Sequence, residues 1–443
     1  MNLRRVIVGF AAFLALTSCG GGDGDEAAPG QQPATDAAAA EAPPAGTAGN
    51  LTIWCWEAAA DTLKVVDADF KRAYPNIQVK YVLFEPADVY QKIQLAVAAG
   101  GGFPDISCIE DSHLAQFVEL GALADITDET APFVDAMNAY KWPEAQKDDR
   151  TYALPWDSGP VALFYRRDVF EQAGVDAASL ETWDDYYEAA KTIKQETGVP
   201  MWPQPKGQND ARLFEMLLWQ QGLGYVDADG NVILDEDPRI EETLEYMARF
   251  WREDLAHGAE WWTDPWYKAL ADGKVATVVE AVWLGTFFKS FIAPEADGKW
   301  GVVRMPAWEP GGVRASNDGG STLAIFEQSE QREAAWAYIR FHLALDESQL
   351  QMYREKDIFP SLESTYDDPF YAEPDPYFGG DEARSLFAEV VTEIPDGGVY
   401  STDYQLMNQL MSAEIQKLAL GRLSAAEALA NAAEAIRART GRS

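Results

Sequence analysis

From Leu51 to Ile109 the chain alternates short, β-rich apolar runs with helical stretches, and no other feature restricts its fold as tightly. Leu51-Thr52-Ile53-Trp54-Cys55-Trp56 is such a run, and residues 61–74 follow with Leu63, Val66, Phe70 and Tyr74 at helical spacing, ended by Pro75. Residues 77–84 alternate as a second strand, 87–99 read as a helix and 104–109 as a third strand. Strands separated by helices pair in parallel, so an open α/β sheet is expected. Ligands of such sheets sit beyond the carboxyl ends of the strands, which here carry Trp56-Glu57 and Glu110-Asp111-Ser112.

Residues 152–165 form a long extended stretch in which Gly159-Pro160 should impose a bend, as the chain leaves one lobe and enters another. Helical patterns then dominate at 183–196, 211–221, 238–253 and 267–272, and strand-like runs return at 275–279, 301–305 and 322–326. Helices close the chain at 330–345, 382–392, 404–420 and 424–440. No repeat with a period of about 20–50 residues is present, which argues against a solenoid. With 443 residues there is material for two or three lobes and a sizeable core.

The first fifty residues read as an address. Arg4 and Arg5 precede a short apolar run, and Leu16-Thr17-Ser18-Cys19 follows. The run is shorter than the roughly 20 residues that span a bilayer. Residues 1–18 are therefore expected to be a signal peptide of the bacterial lipoprotein type, leaving Cys19 as the acylated N-terminus. Residues 19–50 are Gly, Ala, Pro, Asp and Glu with almost no large apolar side chain, so a disordered tether is expected. A lipid on a tether would hold the body at the extracytoplasmic face of the cell membrane.

Composition removes several functions. A formal net charge of −37, spread along the chain, repels polyanions, so nucleic-acid binding is not expected. Three cysteines and three histidines show no paired metal-ligand spacing, and no GxxxxGK[ST] phosphate loop occurs; no metal or cofactor is expected. Asp227-Ala228-Asp229-Gly230-Asn231 has only half of a calcium-loop pattern and reads as a β-turn. Cys55 and Cys108 stand near the ends of neighbouring strands, where a disulfide and two buried thiols are both open. By contrast, 15 Trp and 18 Tyr are many for such a chain, and supply rings to stack on a ligand.

Together, LTIWCWE with a helix ending in YPNI, GFPDISCIEDSHLAQFVELGALADIT, YALPWDSGPVALFYRRDVFEQAG with LETWDDYYEAAKTI, DGKVATVVEAVWLG, NDGGSTLAIF with EAAWAYIRF, and DPYFGGD resemble the extracellular solute-binding proteins of ATP-driven importers, in the carbohydrate-binding, maltose-binding-protein-like branch. The motifs run in family order from about residue 50 to the end. The resemblance implies an α/β, periplasmic-binding-protein-like fold of two lobes with the ligand cleft between them. It assigns 51–158 plus 314–360 to the N-terminal lobe and 159–313 plus 361–443 to the C-terminal lobe. It implies a monomer that binds a carbohydrate, closes on it and presents it to the transmembrane subunits of an ABC permease, without catalysis.

A sugar offers apolar CH faces and a ring of hydroxyls, so its site needs aromatic planes and polar rims. Trp56 and Glu57 combine both at the first strand end, against a core ring as the alternative for Trp56. Glu110 and Asp111 fall where the family places polar contacts, although Ser112 could simply cap the following helix. Trp156 and Asp157 lie on the crossing strand, with Asp157 displaced from the family carboxylate. Trp283 falls at the family's stacking ring in the second lobe and is the foremost aromatic candidate. Gly319, Gly320 and Ser321 would let backbone approach the ligand, and Tyr400 lies near another family ring. Trp202, Gln204, Asn209 and Asp210 belong to a Pro-rich loop expected to face the cleft. Tyr377 and Phe378 are read as packing, and Trp261, Trp262 and Trp266 as either wall or core. The competing functions are a secreted glycosidase, which needs two carboxylates about 5–9.5 Å apart, and a receptor for a non-sugar solute.

Overall fold

Leu51, Ile53 and Cys55 are buried while the residues between them are half-exposed, and this period of two sets Gly49–Cys55 (β1) as a strand with one face on a core. In the computed structural model, which describes residues 42–207, 210–397 and 400–443, β1 is the centre of a parallel trio. Ile77–Leu83 (β2) pairs with it from Gly49↔Ile77, and Ile106–Glu110 (β3) from Ile53↔Ile106. The helix expected at 61–74 is three pieces, Glu57–Leu63, a 3-10 turn at Lys64–Val66, and Asp67–Ala73. The break falls on Val65 and Val66, adjacent β-branched residues that lower helix propensity.

The remaining strands are Gln146–Lys147 (β4), Arg150–Thr151 (β5), Leu154–Arg166 (β6), Trp202–Pro203 (β7), Ala256–His257 (β8), Thr277–Ala281 (β9), Trp300–Val303 (β10) and Asn317–Ile325 (β11). The main sheet has seven strands in the order β10-β6-β11-β3-β1-β2, with β9 also paired to β6. Only the β3-β1-β2 end is parallel; β11, β9 and β10 run antiparallel to their partners, so the sheet is mixed.

Strand β6 runs unbroken through Gly159-Pro160, where a bend was expected. What changes there is the partner: β11 pairs up to Pro160, and β9 takes over from Val161. Gly159 is required because a Cβ at this position would sit 2.2 Å from the Asp318 carbonyl oxygen of β11.

Three hydrophobic clusters lie along this sheet. The first gathers Ile53, Phe70, Ile93, Phe117, Trp156, Leu323 and Tyr338. The second is built around Trp183, Trp202, Phe214, Phe250 and Ile436, and the third around Phe164, Trp266, Trp300 and Phe387. Leu350 and Tyr353 of the helix Asp346–Lys356, and Phe359 just beyond it, pack into the third cluster, although the helix also leans on the first. Cys55 and Cys108 are joined as a disulfide across β1 and β3, with Cα atoms 5.1 Å apart.

The order of the body begins before residue 51. Thr47 is buried, bonds the Pro44 carbonyl through its N–H and the Glu333 carboxylate through its hydroxyl, and leads into β1, so the end of the expected tether is part of the fold. Residues 1–41, with the expected signal and Cys19, lie outside the described residues. Among the described residues, no helix is long and apolar enough to cross a membrane. At Asp227 the chain makes a turn in which Oδ1 accepts from the N–H groups of Asp229 and Asn231.

Candidate functional site

Strand β3 ends at Glu110, and Asp111 opens the helix Asp111–Glu119 in full burial. A buried carboxylate must be paired, and here Lys141, equally buried, forms an ion pair with Asp111 Oδ2. Burial, offset in part by Lys141, raises the Asp111 pKa to about 6. Glu144, one turn beyond Lys141, is also buried, and burial together with Asp111 pushes its pKa well up. Asp111 Oδ1 and Glu144 Oε2 are buried and accept from no N–H or hydroxyl group, and the Glu144 carboxyl, held neutral, hydrogen-bonds Asp111. Polar atoms left so are the ones a ligand hydroxyl would satisfy.

The turn opening β11 comes up against this pair. Gly320 has φ of +114°, and a Cβ there would lie 2.5 Å from Lys141 Nζ and 2.6 Å from Asp111 Oδ2. Ser321 pairs in register with Asp157 and hydrogen-bonds its carboxylate. Gly319, also left-handed at +76°, donates its N–H to the Tyr400 hydroxyl at 3.4 Å. Trp283 closes the turn from the other side, its Nε1 donating to the Asp318 carbonyl at 3.1 Å.

Facing this turn, the helix Arg212–Trp219 presents its first residue. The Arg212 guanidinium lies 5.6 Å from the ring centres of both Trp262 and Trp283, and reaches Asp318 at 3.2 Å and Glu280 at 3.7 Å. Burial acts to lower its pKa, but Asp318 and Glu280 outweigh it and hold the group protonated. Glu280 is fully buried in β9, and burial followed by the nearby Asp318 raises its pKa well above the usual range. Asp210 fixes the start of the same helix by accepting the Arg212 N–H at 2.8 Å. Beside these groups a narrow cleft is lined by Tyr140, Glu144, Trp219, Asn317 and Asp396. Tyr400 packs edge-on to Trp219, ring centres 5.2 Å apart.

Of the residues anticipated from sequence, the structure gathers Asp111, Asp157, Gly319, Gly320, Ser321, Trp283, Tyr400 and Asp210 around one turn. Glu110 stands at the edge of the group, accepting from the Tyr90 hydroxyl at 2.9 Å. Trp56 is half-buried against the first cluster and Glu57 is exposed on a helix first turn. Two expectations need correction. Trp156 is 1% exposed inside the first cluster, because β6 is buried on both faces there. Trp202 is equally buried, with Phe250 4.2 Å, Tyr186 5.4 Å and Trp183 6.2 Å from its ring centre, so it has no face free for a ligand. Gln204 is buried, its backbone held by His257 and by Trp251 Nε1. Asn209 lies outside the described residues.

Sequence reasoning missed Lys141, Glu144, Arg212, Glu280 and Asp318. A signal existed for two of them: Lys141 sits between Tyr140 and Trp142, and Glu280 interrupts the apolar run Val278-Val279-Glu280-Ala281-Val282. A charge in a buried segment is rare unless paired, which makes it informative.

The sequence profile of the family described as bacterial extracellular solute-binding protein matches residues 57–345. A lactose-binding protein of Rhizobium radiobacter is 30% identical over 364 residues, covering 79% of this chain and 84% of its own. An arabinooligosaccharide-binding protein of Halalkalibacterium halodurans is 26% identical over 357 residues, with 78% and 79% covered. The solved structure of an ABC transporter associated binding protein from B. animalis subsp. lactis, in complex with β-1,6-galactobiose, is 27% identical and superposes with a TM-score of 0.73, covering 88% of this chain and 97% of that one. The expected two-lobed α/β fold is thereby met.

Proposed function

Because this chain belongs to the bacterial extracellular solute-binding proteins, we propose that it captures a neutral oligosaccharide in the cleft between its lobes, without cleaving it, and delivers it to the membrane permease of an ABC importer. The lobes of this reading are 51–158 plus 314–360 and 159–313 plus 361–443. The observation that carries it is the meeting of Trp283 with the Gly319-Gly320 turn, beside the buried Asp111–Lys141 pair. An indole serves an apolar sugar face, and the Asp111 and Glu144 oxygens that accept from no N–H or hydroxyl group serve the hydroxyls. Asp111, Asp157 and Asp318 outnumber Lys141 and Arg212, and the protonated Glu144 and Glu280 add no positive charge, which disfavours an anionic ligand. The relatives that bind lactose, arabinooligosaccharides and β-1,6-galactobiose support a neutral sugar. Acylation at Cys19 would keep the protein at the membrane.

Calorimetric titration of residues 42–443 with a panel of mono- and oligosaccharides tests this reading. Saturable binding of at least one sugar is expected, with the sugar recovered intact by chromatography. Trp283→Ala should weaken that binding at least about tenfold, equivalent to about 1.4 kcal/mol. Cleavage products would point to a glycosidase, and a folded protein with no response to the panel would point to another solute.

A further inference from the structure

Trp283 is the inner end of a row of rings that leaves the cleft. Trp262 lies 5.6 Å from it and Phe287 5.7 Å, centre to centre; Phe291 follows 5.3 Å from Phe287, and Tyr267 5.4 Å from Phe291. The four outer rings are all in contact with solvent, Trp262, Tyr267 and Phe287 partly and Phe291 at 52% exposure. Neighbouring rings are inclined to one another by 37° to 83°, so each presents its own face or edge to solvent.

Two backbone features show that the row is held at a cost. Trp262 has φ of +63°, and the other described non-glycine residues at positive φ are all Asp, which tolerates that region where a bulky aromatic does not. Its ring is propped there by fully buried Trp266 at 4.9 Å and by the Arg212 guanidinium. Phe291 stands on a π-helical turn, Phe288–Ile292, a rare geometry found often at functional sites. The basic side chains of these elements are turned away from the rings: Lys289 bonds Asp357 at 3.1 Å and Asp375 at 2.9 Å, and Lys268 bonds Asp272. What faces solvent is an aromatic surface that joins the site at Trp283, with exposed Asp264 beside Tyr267 and the Arg212 guanidinium against Trp262.

We propose that Trp262, Phe287, Phe291 and Tyr267 form an outer subsite that stacks the sugar units of a longer oligosaccharide protruding from the cleft. This rests on the reading of the cleft as a sugar site and adds a chain-length preference to it. An oligosaccharide of three or more units gains contacts there that a disaccharide cannot reach.

The experiment is calorimetry on wild type and Phe291→Ala with disaccharides through pentasaccharides of β-galactan, arabinan and α-glucan. Phe291 is exposed and in the outer part of the row, so its truncation leaves the core intact, which far-UV dichroism and the melting temperature check. For the series that binds, wild type should favour the pentasaccharide over the disaccharide by about fivefold or more, as a stacked ring contributes. In Phe291→Ala that ratio should fall to within about twofold of one. A wild-type ratio near one, or the same ratio in both proteins, overturns the outer subsite while leaving the cleft reading standing. Binding of no member of any series by folded wild type overturns both.

Discussion

Glu215 stands one helical turn from Arg212 and shows how a single buried group links this site to pH. Its carboxylate accepts from the Tyr225 hydroxyl at 2.6 Å, the Asn408 amide at 2.8 Å and the Tyr404 hydroxyl at 2.8 Å. Those bonds favour the charged form, yet burial outweighs them and, with Asp210 adding to it, raises the pKa to about 7. The folded state therefore binds this proton more tightly than the unfolded chain does. The stability so gained is fully present below the unfolded pKa of about 4.3 and is lost as the pH rises through about 7. Thermal unfolding at fixed ionic strength should show wild type losing more stability between pH 5 and 8 than Glu215→Gln, which cannot titrate. Parallel pH profiles would dissociate Glu215 from the effect. At this same scale the site was partly legible. Trp283 and Tyr400, expected from the family order, stand at the turn, whereas Trp156 and Trp202, expected at the cleft, lie inside cores, because an indole in an all-apolar strand carries no periodic sign of which face meets solvent. Arg212 and Lys141 were overlooked because, in a chain so rich in acids, a lone cation reads as a solvated counter-charge rather than a buried partner.

The strands and helices were more legible than the side chains. Those at 77–84, 87–99, 183–196, 238–253 and 424–440 follow from periodicity and end signals, and the structure keeps them within a few residues. Thr182 and Ser424 even form complete capping boxes at two of the helix starts. The antiparallel insertion of β11 between β3 and β6 was not legible, since pairing across 157 to 219 residues leaves no local pattern. Neither was the helix Asp346–Lys356, whose apolar residues are divided between two clusters instead of forming one stripe. The Cys55–Cys108 bond belongs to this scale because it fastens β1 to β3 just before Trp56 and Asp111, across a separation of 53 residues. Cross-links of that span stabilise a fold by about 2–4 kcal/mol. The double variant Cys55→Ser, Cys108→Ser should lose about that much, read as a lower urea midpoint with a somewhat steeper slope, because the unfolded chain is more expanded without the cross-link. An unchanged midpoint would show that the strand pairing needs no such fastening.

At the scale of the whole molecule, the two sides are joined by the shared sheet, by an apolar seam in which Tyr353 and Phe359 meet Tyr371 and Phe387, and by polar contacts at the site. Gln405, on the helix Tyr404–Ala419, donates to the Ser112 carbonyl at 3.2 Å, and Arg212 reaches Asp318. On the reading of a sugar receptor, a ligand that bridges the polar contacts should shift the molecule toward a closed form. Small-angle scattering at saturating sugar should therefore show a smaller radius of gyration than the unliganded protein, and equal radii would argue for a cleft that does not move. The unbroken run of β6 has a further consequence, for the order in which the molecule is made. Strand β3 receives its second neighbour only from β11, which starts at Asn317, long after β3 and β6 have left the ribosome. A chain halted before that point exposes the bare edge of β3 and one side of β6, the template on which other chains aggregate. Truncation from the C-terminal side should thus yield insoluble protein rather than a separable first half, and rescue should come only with a product long enough to include Ile325.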